Sequence, residues 1–199
     1  MLVCRVVCRG VSPVLFSRVP REFKIQRNKH LEKGPLYTPG DFASVHLYRD
    51  ERGVISLPTL LLRRYLQLGA RARLKNGGAG EWVVTGGSKA WRQKFERSFS
   101  LHGDFVPLVD PGTYRQVTWK IYHGQFTAPD GSLVEFIRPQ VDHWLFSVLV
   151  APHAITIDEL QIIFEKTGRM IGLGWQPRNT SSFGRFNIMS TEQTELNVA

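Results

Sequence analysis

The chain has 199 residues, 42% hydrophobic and 11% aromatic, with 26 Lys and Arg against 17 Asp and Glu, a formal charge of +9. That length suits one domain, or one domain with a large insertion, and the apolar content is enough for a packed core, which excludes wholesale disorder. The longest apolar run, Trp144 to Pro152, is strand-sized and far short of the roughly 18 residues of a membrane-spanning helix, so the composition points to a soluble basic domain suited to an anionic partner and not to a membrane.

The opening MLVCRVVCRG carries Arg5 and Arg9 inside its apolar stretch and has no small-residue cleavage site, which argues against a signal peptide. Alternation of Val3, Arg5 and Val7 with Leu2, Cys4, Val6 and Cys8 predicts a first strand. The two cysteines lack any zinc-ligand pattern and read as reduced thiols of a cytoplasmic protein. Gln26 to Asp41 is polar and punctuated by Gly and Pro, which predicts a loop. Ser44 to Tyr48 and Val54 to Leu57 predict a hairpin whose turn ends at Gly53.

Pro58 is expected to open a helix with Leu61, Tyr65, Leu68 and Ala72 on one face, broadened by Leu62 and Leu66. Gly77, Gly78 and Gly80 predict a turn, Trp82 to Thr85 a short strand, and Ser88 the cap of a short helix bearing Trp91, Phe95 and Phe99. Phe105 to Arg138 alternates like strands around turns at Asp110-Pro111-Gly112 and Pro129-Asp130-Gly131, and His143 to Val150 predicts a further strand. Thr156 and Glu159 form a capping box ahead of a helix that Gly168 is expected to stop. Met170 to Leu173 reads as the start of a strand, and Phe183 to Met189 as the last one.

These elements form two β-α-β-like halves, which predicts an α+β chain with a ferredoxin-like, RRM-like antiparallel sheet and helices on one face. Residues 1–190 would be one domain with a β-rich insertion at about 75–140, followed by a flexible acidic tail over 191–199.

The charge is concentrated in the front half. Eight basic residues lie between Arg5 and Lys33 against Glu22 and Glu32, and ten between Arg52 and Arg97 against Glu81 and Glu96, while the stretch after Met189 adds only Glu192 and Glu195. One cationic surface would explain this pattern, as would an ordinary solvated one. Catalytic patterns are wanting. The six histidines have no H-x-E, H-E-x-x-H or paired-cysteine context, and neither a P-loop nor a G-x-S-x-G elbow occurs, so no metal, cofactor or catalytic residue is expected.

Gly172, Gly174 and Gly184, with Arg178 and Arg185, bracket a loop whose free N–H groups could cradle phosphate; a plain β-loop using glycines for positive φ explains the same residues. Lys89, Trp91, Arg92 and Lys94 interleave an aromatic with cations, as do Arg115, Trp119, Lys120 and Tyr122, a pairing that suits single-stranded nucleic acid. Trp91, Phe95 and Phe99 fit the buried stripe of a helix equally well.

Two segments resemble a known family. LYRDERGVISLPTLLLRRYL is similar to the strand, turn and proline-then-helix element of the RAMP superfamily (repeat-associated mysterious proteins), which includes CRISPR effector backbone subunits, with Ile55, Pro58, Leu62, Arg63 and Leu66 in the matching places. IGLGWQPRNTSSFGRFNI resembles that family's C-terminal glycine loop through Gly172, Gly174, Phe183, Gly184, Arg185 and Phe186, although Leu173 separates the first two glycines. The front is also similar to short uncharacterised bacteriophage proteins, through Val11, Pro13 and Leu15. The resemblance implies an RRM-like protein that binds single-stranded RNA, as a helical row of identical subunits in which the insertion acts as a thumb.

The expected role is a non-enzymatic coat on single-stranded RNA or DNA. Arg63, Arg64, Arg71, Arg73 and Lys75 would line a groove, Lys89, Trp91, Arg92 and Lys94 would sit on the thumb, and Arg178 and Arg185 would sit in the glycine loop. Arg63 and Arg64 are expected to matter more than Arg5 and Arg9. The rival readings are a metal-independent endoribonuclease with His30 or His46 as general base, and a self-assembling structural protein without nucleic acid.

Overall fold

Alternation along the first strand, β1 (Leu2–Gly10), sorts its side chains onto two faces. In the computed structural model, which describes residues 2–17, 39–71, 89–127, 130–174 and 183–195, Cys4, Val6 and Cys8 are buried while Arg5 and Arg9 reach solvent on the opposite face. β1 lies inside a four-stranded sheet whose other members are β4 (Phe99–Leu101), β8 (Leu145–Pro152) and β9 (Phe186–Glu195). The order is β4-β8-β1-β9 with every pairing antiparallel.

Two helices cover the buried face, α2 (Thr59–Arg71) between β1 and β4, and α4 (Ile157–Lys166) between β8 and β9. Each half therefore runs strand, helix, strand, and the strand order is that of the split β-α-β, ferredoxin-like fold. The core joins Cys4, Val6 and Cys8 to Phe146, Val148 and Val150 of β8, to Leu62, Leu66 and Ala70 of α2, and to Leu160, Ile163 and Phe164 of α4. Burying each such Leu, Ile, Val or Phe is worth about 1.5–3 kcal/mol, which is what fastens the helices to the sheet.

The burial of α2 differs from its expected stripe. Leu62, Leu66 and Ala70 face the sheet, Leu61 and Tyr65 are half-buried, and Leu68 is exposed. Gly69 explains the rotation: a Cβ there would lie 2.0 Å from Thr167 Oγ1, so this glycine is where α2 approaches the end of α4. Pro58 is the last residue of β3 (Ser56–Pro58), and the helix begins one residue later.

The Thr156–Glu159 capping box is complete at the start of α4, with Glu159 N–H donating to Thr156 Oγ1 and Thr156 N–H to Glu159 Oε2. Gly168 does not stop the helix. A π-helical turn, Thr167–Ile171, extends it to Gly172, where φ is 75°, and this turn occupies Met170 and Ile171, the first half of the stretch expected to start a strand. Gly168 has a different job, because a Cβ there would come within 2.1 Å of the Phe186 carbonyl oxygen. β9 also outruns its expected end at Met189. It pairs with β1 as far as Leu2↔Glu195, so residues 191–195 of the expected flexible tail are strand, held by backbone groups that the full length of β1 offers.

Not all of the stretch at about 75–140 is peripheral. It holds α3 (Lys89–Ser98), on which Phe95 is buried, but Phe99 belongs to β4, the edge strand of the main sheet. β5 (Phe105–Pro107) pairs with β3, and β6 (Lys120–Thr127) and β7 (Leu133–Val141) form a long hairpin extended by β2 (Val14–Leu15). Pro39–Ser44, whose first residues fall at the end of the expected front loop, form the short helix α1, and the hairpin around Gly53 shrinks to an Arg49↔Ile55 bridge. The remainder of that loop, the Gly77–Gly80 turn and the Trp82–Thr85 strand lie outside the described residues. Among the described residues no helix is long and apolar enough to cross a membrane.

Cys4 and Cys8 are free thiols on one strand face, about 13 Å apart at the rise of a strand, too far to bridge. Burial pushes both thiols above their ordinary pKa, and thiolate is the reactive form. Neither should react with a disulfide reagent at pH 8 in the native protein, and both should become reactive in the same denaturant range as the loss of far-ultraviolet circular dichroism.

Candidate nucleic-acid interface

The end of the sheet where β1 finishes is built around three aromatic side chains packed together. Trp144 lies parallel to Phe146 with ring centres 6.1 Å apart, and Phe186 meets both edge-on. Gly10 is the only size of residue that fits over this cluster, because a Cβ would stand 2.3 Å from Trp144 Cε2. Gly10 N–H donates to the Trp144 carbonyl at 2.8 Å and the Trp144 indole N–H to the Ser12 carbonyl at 2.9 Å. From that anchor residues 11–13 tie in the glycine loop. Val11 N–H donates to the Arg185 carbonyl, Arg185 N–H to Ser12 Oγ, and Gly184 N–H to the Pro13 carbonyl.

Gly172, Gly174 and Gly184 all have φ between 66° and 78°, a region closed to most side chains. They also admit close backbone contact: a Cβ on Gly184 would lie 1.9 Å from the Leu173 carbonyl oxygen, and one on Gly174 would lie 2.3 Å from that of Leu15. The N–H groups of Gly172 and Gly184 donate to Thr167 and Pro13 within the chain. Those two amides are therefore already engaged, Gly172 in closing the π-helical turn and Gly184 in tying the loop to the segment after β1. Gly174 accepts a 2.7 Å hydrogen bond from the Tyr65 hydroxyl, which joins α2 to the loop. Burial, reinforced by Tyr48, pushes that phenol up to about 12 against the opposing pull of Arg64 and the Gly174 bond, so it stays a neutral donor. Residues 175–182, with Arg178, lie outside the described residues.

The same end receives the β6–β7 hairpin, since Tyr122 meets Phe183 edge-on at 5.5 Å. Arg138 stands opposite Tyr122. Burial lowers the pKa of the Arg138 and Arg185 guanidiniums from a very high starting value, so both remain cationic. The other edge is closed by a small loop from Val109 to Gln116. Val109 exchanges both backbone hydrogen bonds with Leu145, which stands opposite Arg9, which stands opposite Asn187.

Arg63 is held inside the fold. Its Nη2 donates to the carbonyls of Glu96 and Phe99, and its guanidinium lies 5.6 Å from the centre of the Phe99 ring, so it clamps α2 to the junction of α3 and β4. Arg64 next to it is exposed. Arg71 ends α2, and Lys89, Trp91, Arg92 and Lys94 belong to α3, with side chains outside the description, as are Arg73 and Lys75 entirely. α2 packs on the buried face of the sheet, so Arg64 lies on the opposite side from Arg5 and Arg9. Of the residues expected to line a groove, Arg63 is engaged within the fold and Arg64 is exposed on the helix side of the sheet. Across the sheet, Arg9 stands between Asn187, two residues after Arg185, and Leu145, which pairs with Val109 at the base of the small loop. The alternation of β1 was signal enough to place Arg5 and Arg9 on an open face; the pairing of Val109 with Leu145 had no counterpart in the sequence. His46 is buried, 5% exposed, and His30 lies outside the described residues.

Arg63→Ala should lower the unfolding free energy by about 1–3 kcal/mol, since two carbonyls and a ring lose their cation. Arg64→Ala should change it by no more than about 0.5 kcal/mol. Urea denaturation of the two variants checks the difference.

No family model matches the chain, and no curated protein does. Among solved structures it is similar to a chain of the type III-B Cmr-β complex, determined by cryo-electron microscopy bound to cognate target RNA, at 12% identity and a TM-score of 0.49. The overlap covers 96% of this chain and 60% of that one, so this chain spans about three-fifths of its length. The assignment to the ferredoxin-like class rests on the strand order itself.

Proposed function

We propose that this protein binds single-stranded nucleic acid without cleaving it, along the open face and the glycine-loop end of the sheet. The observation that carries the reading is the state of its cations. Arg5, Arg9, Arg64, Arg97, Arg115 and Arg169 are exposed and make no ion pair among the described residues, where the ion pairs found are Arg52–Asp50 and Lys120–Asp142. Glu192 stands opposite Arg5 across β1 and β9 but outside ion-pair distance, and Arg9 has Leu145 and Asn187 as its cross-strand neighbours. A chain of charge +9 with these six exposed arginines outside any ion pair among the described residues attracts a polyanion, and release of that polymer's counterions drives binding.

Arg9 and Arg185 supply charge at the sheet end, with Arg5 farther along the open face. Arg64 is a further exposed cation, on α2; Arg71, Arg73, Lys75, Lys89, Arg92, Lys94 and Arg178, with Trp91 for stacking, are proposed as additional contacts on their sequence pattern alone. Arg63 is a supporting residue that fixes α2. The choice of RNA over DNA, and assembly as a row of identical subunits, rest on the resemblance of the Ile55–Leu66 and Gly172–Phe186 segments to the RAMP superfamily.

Fluorescence anisotropy with a labelled single-stranded RNA, repeated across salt concentrations, tests the reading. Each phosphate contact contributes about 0.7 to the slope of log affinity against log salt for a single strand. Arg9→Ala should reduce the slope by about that amount, and Arg63→Ala should leave it unchanged. Absent or salt-insensitive binding by the wild type would refute the proposal.

A further inference from the structure

Tyr114 is the one non-glycine residue with positive φ among the described residues, at 54°, and its side chain is 72% exposed. A bulky L-residue in this left-handed region strains the backbone, and glycine would relieve it. The ring recovers little of that strain by burial. The fold therefore gives no reason for an aromatic at this position, whereas a ligand with a flat apolar face does.

The loop is set before any ligand arrives. Asp110 Oδ1 accepts from Gly112 N–H at 3.0 Å, Thr113 N–H at 2.8 Å and Thr113 Oγ1 at 3.0 Å. Those Thr113 bonds, with that of Gly112, hold the Asp110 carboxyl below its ordinary pKa, so the brace persists at neutral pH. Tyr114 N–H donates to the Asp110 carbonyl and Asp110 N–H to the Arg115 carbonyl, each at 2.8 Å, and the Val109↔Gln116 bridge closes the base. A ring presented on a fixed backbone loses little conformational freedom on binding. Arg115 beside it is exposed, with no ion pair among the described residues. Val109, Leu145 and Arg9 stand side by side across the open face, and two strand spacings place Arg9 about 10 Å from the base of the loop.

We infer that Tyr114 is a stacking platform for one base of a bound single strand, with Arg115 meeting the adjoining phosphate and Arg9 the continuing backbone. The inference rests on the nucleic-acid-binding reading and adds the contact that recognises the base, since any base has a face that stacks on tyrosine.

The test is anisotropy with a fluorescein-labelled oligouridine at fixed salt, using the full chain. Tyr114→Ala should weaken binding about tenfold or more, as loss of one stacked base does, with the salt slope unaltered. Tyr114→Phe keeps the ring and should recover most of the affinity. Tyr114→Gly should weaken binding as Ala does while raising the thermal midpoint, because it relieves the backbone; a merely structural tyrosine would lower it. If the wild type binds no oligonucleotide, the functional reading itself fails. If the wild type binds and Tyr114→Ala binds equally well, the stacking inference alone fails. Loss of self-association in Tyr114→Ala at unchanged affinity for oligouridine would assign the ring to a protein contact and overturn the inference.

Discussion

Close backbone approach over the Trp144, Phe146 and Phe186 cluster is the constraint on which the rest of the molecule depends. Gly10 lies over the indole, Gly168 against the Phe186 carbonyl, Gly184 against Leu173 and Gly174 against Leu15, each at a separation no side chain would allow. Native cores are packed so tightly that one methyl group is felt, and here four positions exclude even that. The outcome is that strand ends, the glycine loop and the root of the β6–β7 hairpin share one compact foundation. Exposed groups at this end, Arg9, Tyr114 and Arg115, inherit fixed positions from it.

This foundation also explains how the two sides of the sheet divide their roles. Helices α2 and α4 bury the apolar face, and Arg63 and Tyr65 lock α2 to its neighbours through carbonyl oxygens of Glu96, Phe99 and Gly174. A guanidinium used in this way is part of the scaffold. The open face carries Arg5 and Arg9, neither of which makes an ion pair among the described residues. Charge that contributes little to folding is available to a partner, and a polyanion is the partner such charge favours.

The sheet was legible in the sequence because its signals are local. The β1 alternation, the Thr156–Glu159 capping box, the turns at Asp110 and Asp130, and the strand after His143 each depend on a few adjacent residues. What escaped was set by contacts distant in the chain. Leu68 faces solvent because Gly69 meets Thr167, nearly a hundred residues on; the helix at Gly168 continues because that glycine answers to Phe186; and β9 reaches Glu195 because β1 extends back to Leu2. The candidate interface divided in the same way. Composition could find arginines, but whether Arg63 or Arg9 is available depends on which carbonyls lie within reach. The glycines were visible as a group, while the internal destinations of the Gly172 and Gly184 N–H groups were not.

Photo-crosslinking with single-stranded RNA containing 4-thiouridine, followed by mass spectrometry of the linked peptides, tests the central claim most directly. Binding along the open face and glycine-loop end predicts adducts in the peptides that hold Arg5–Arg9, Tyr114–Arg115 and Phe183–Arg185. Adducts confined to the outer surface of α4, around Asp158, Ile162 and Glu165, or no adducts at low salt, would contradict it.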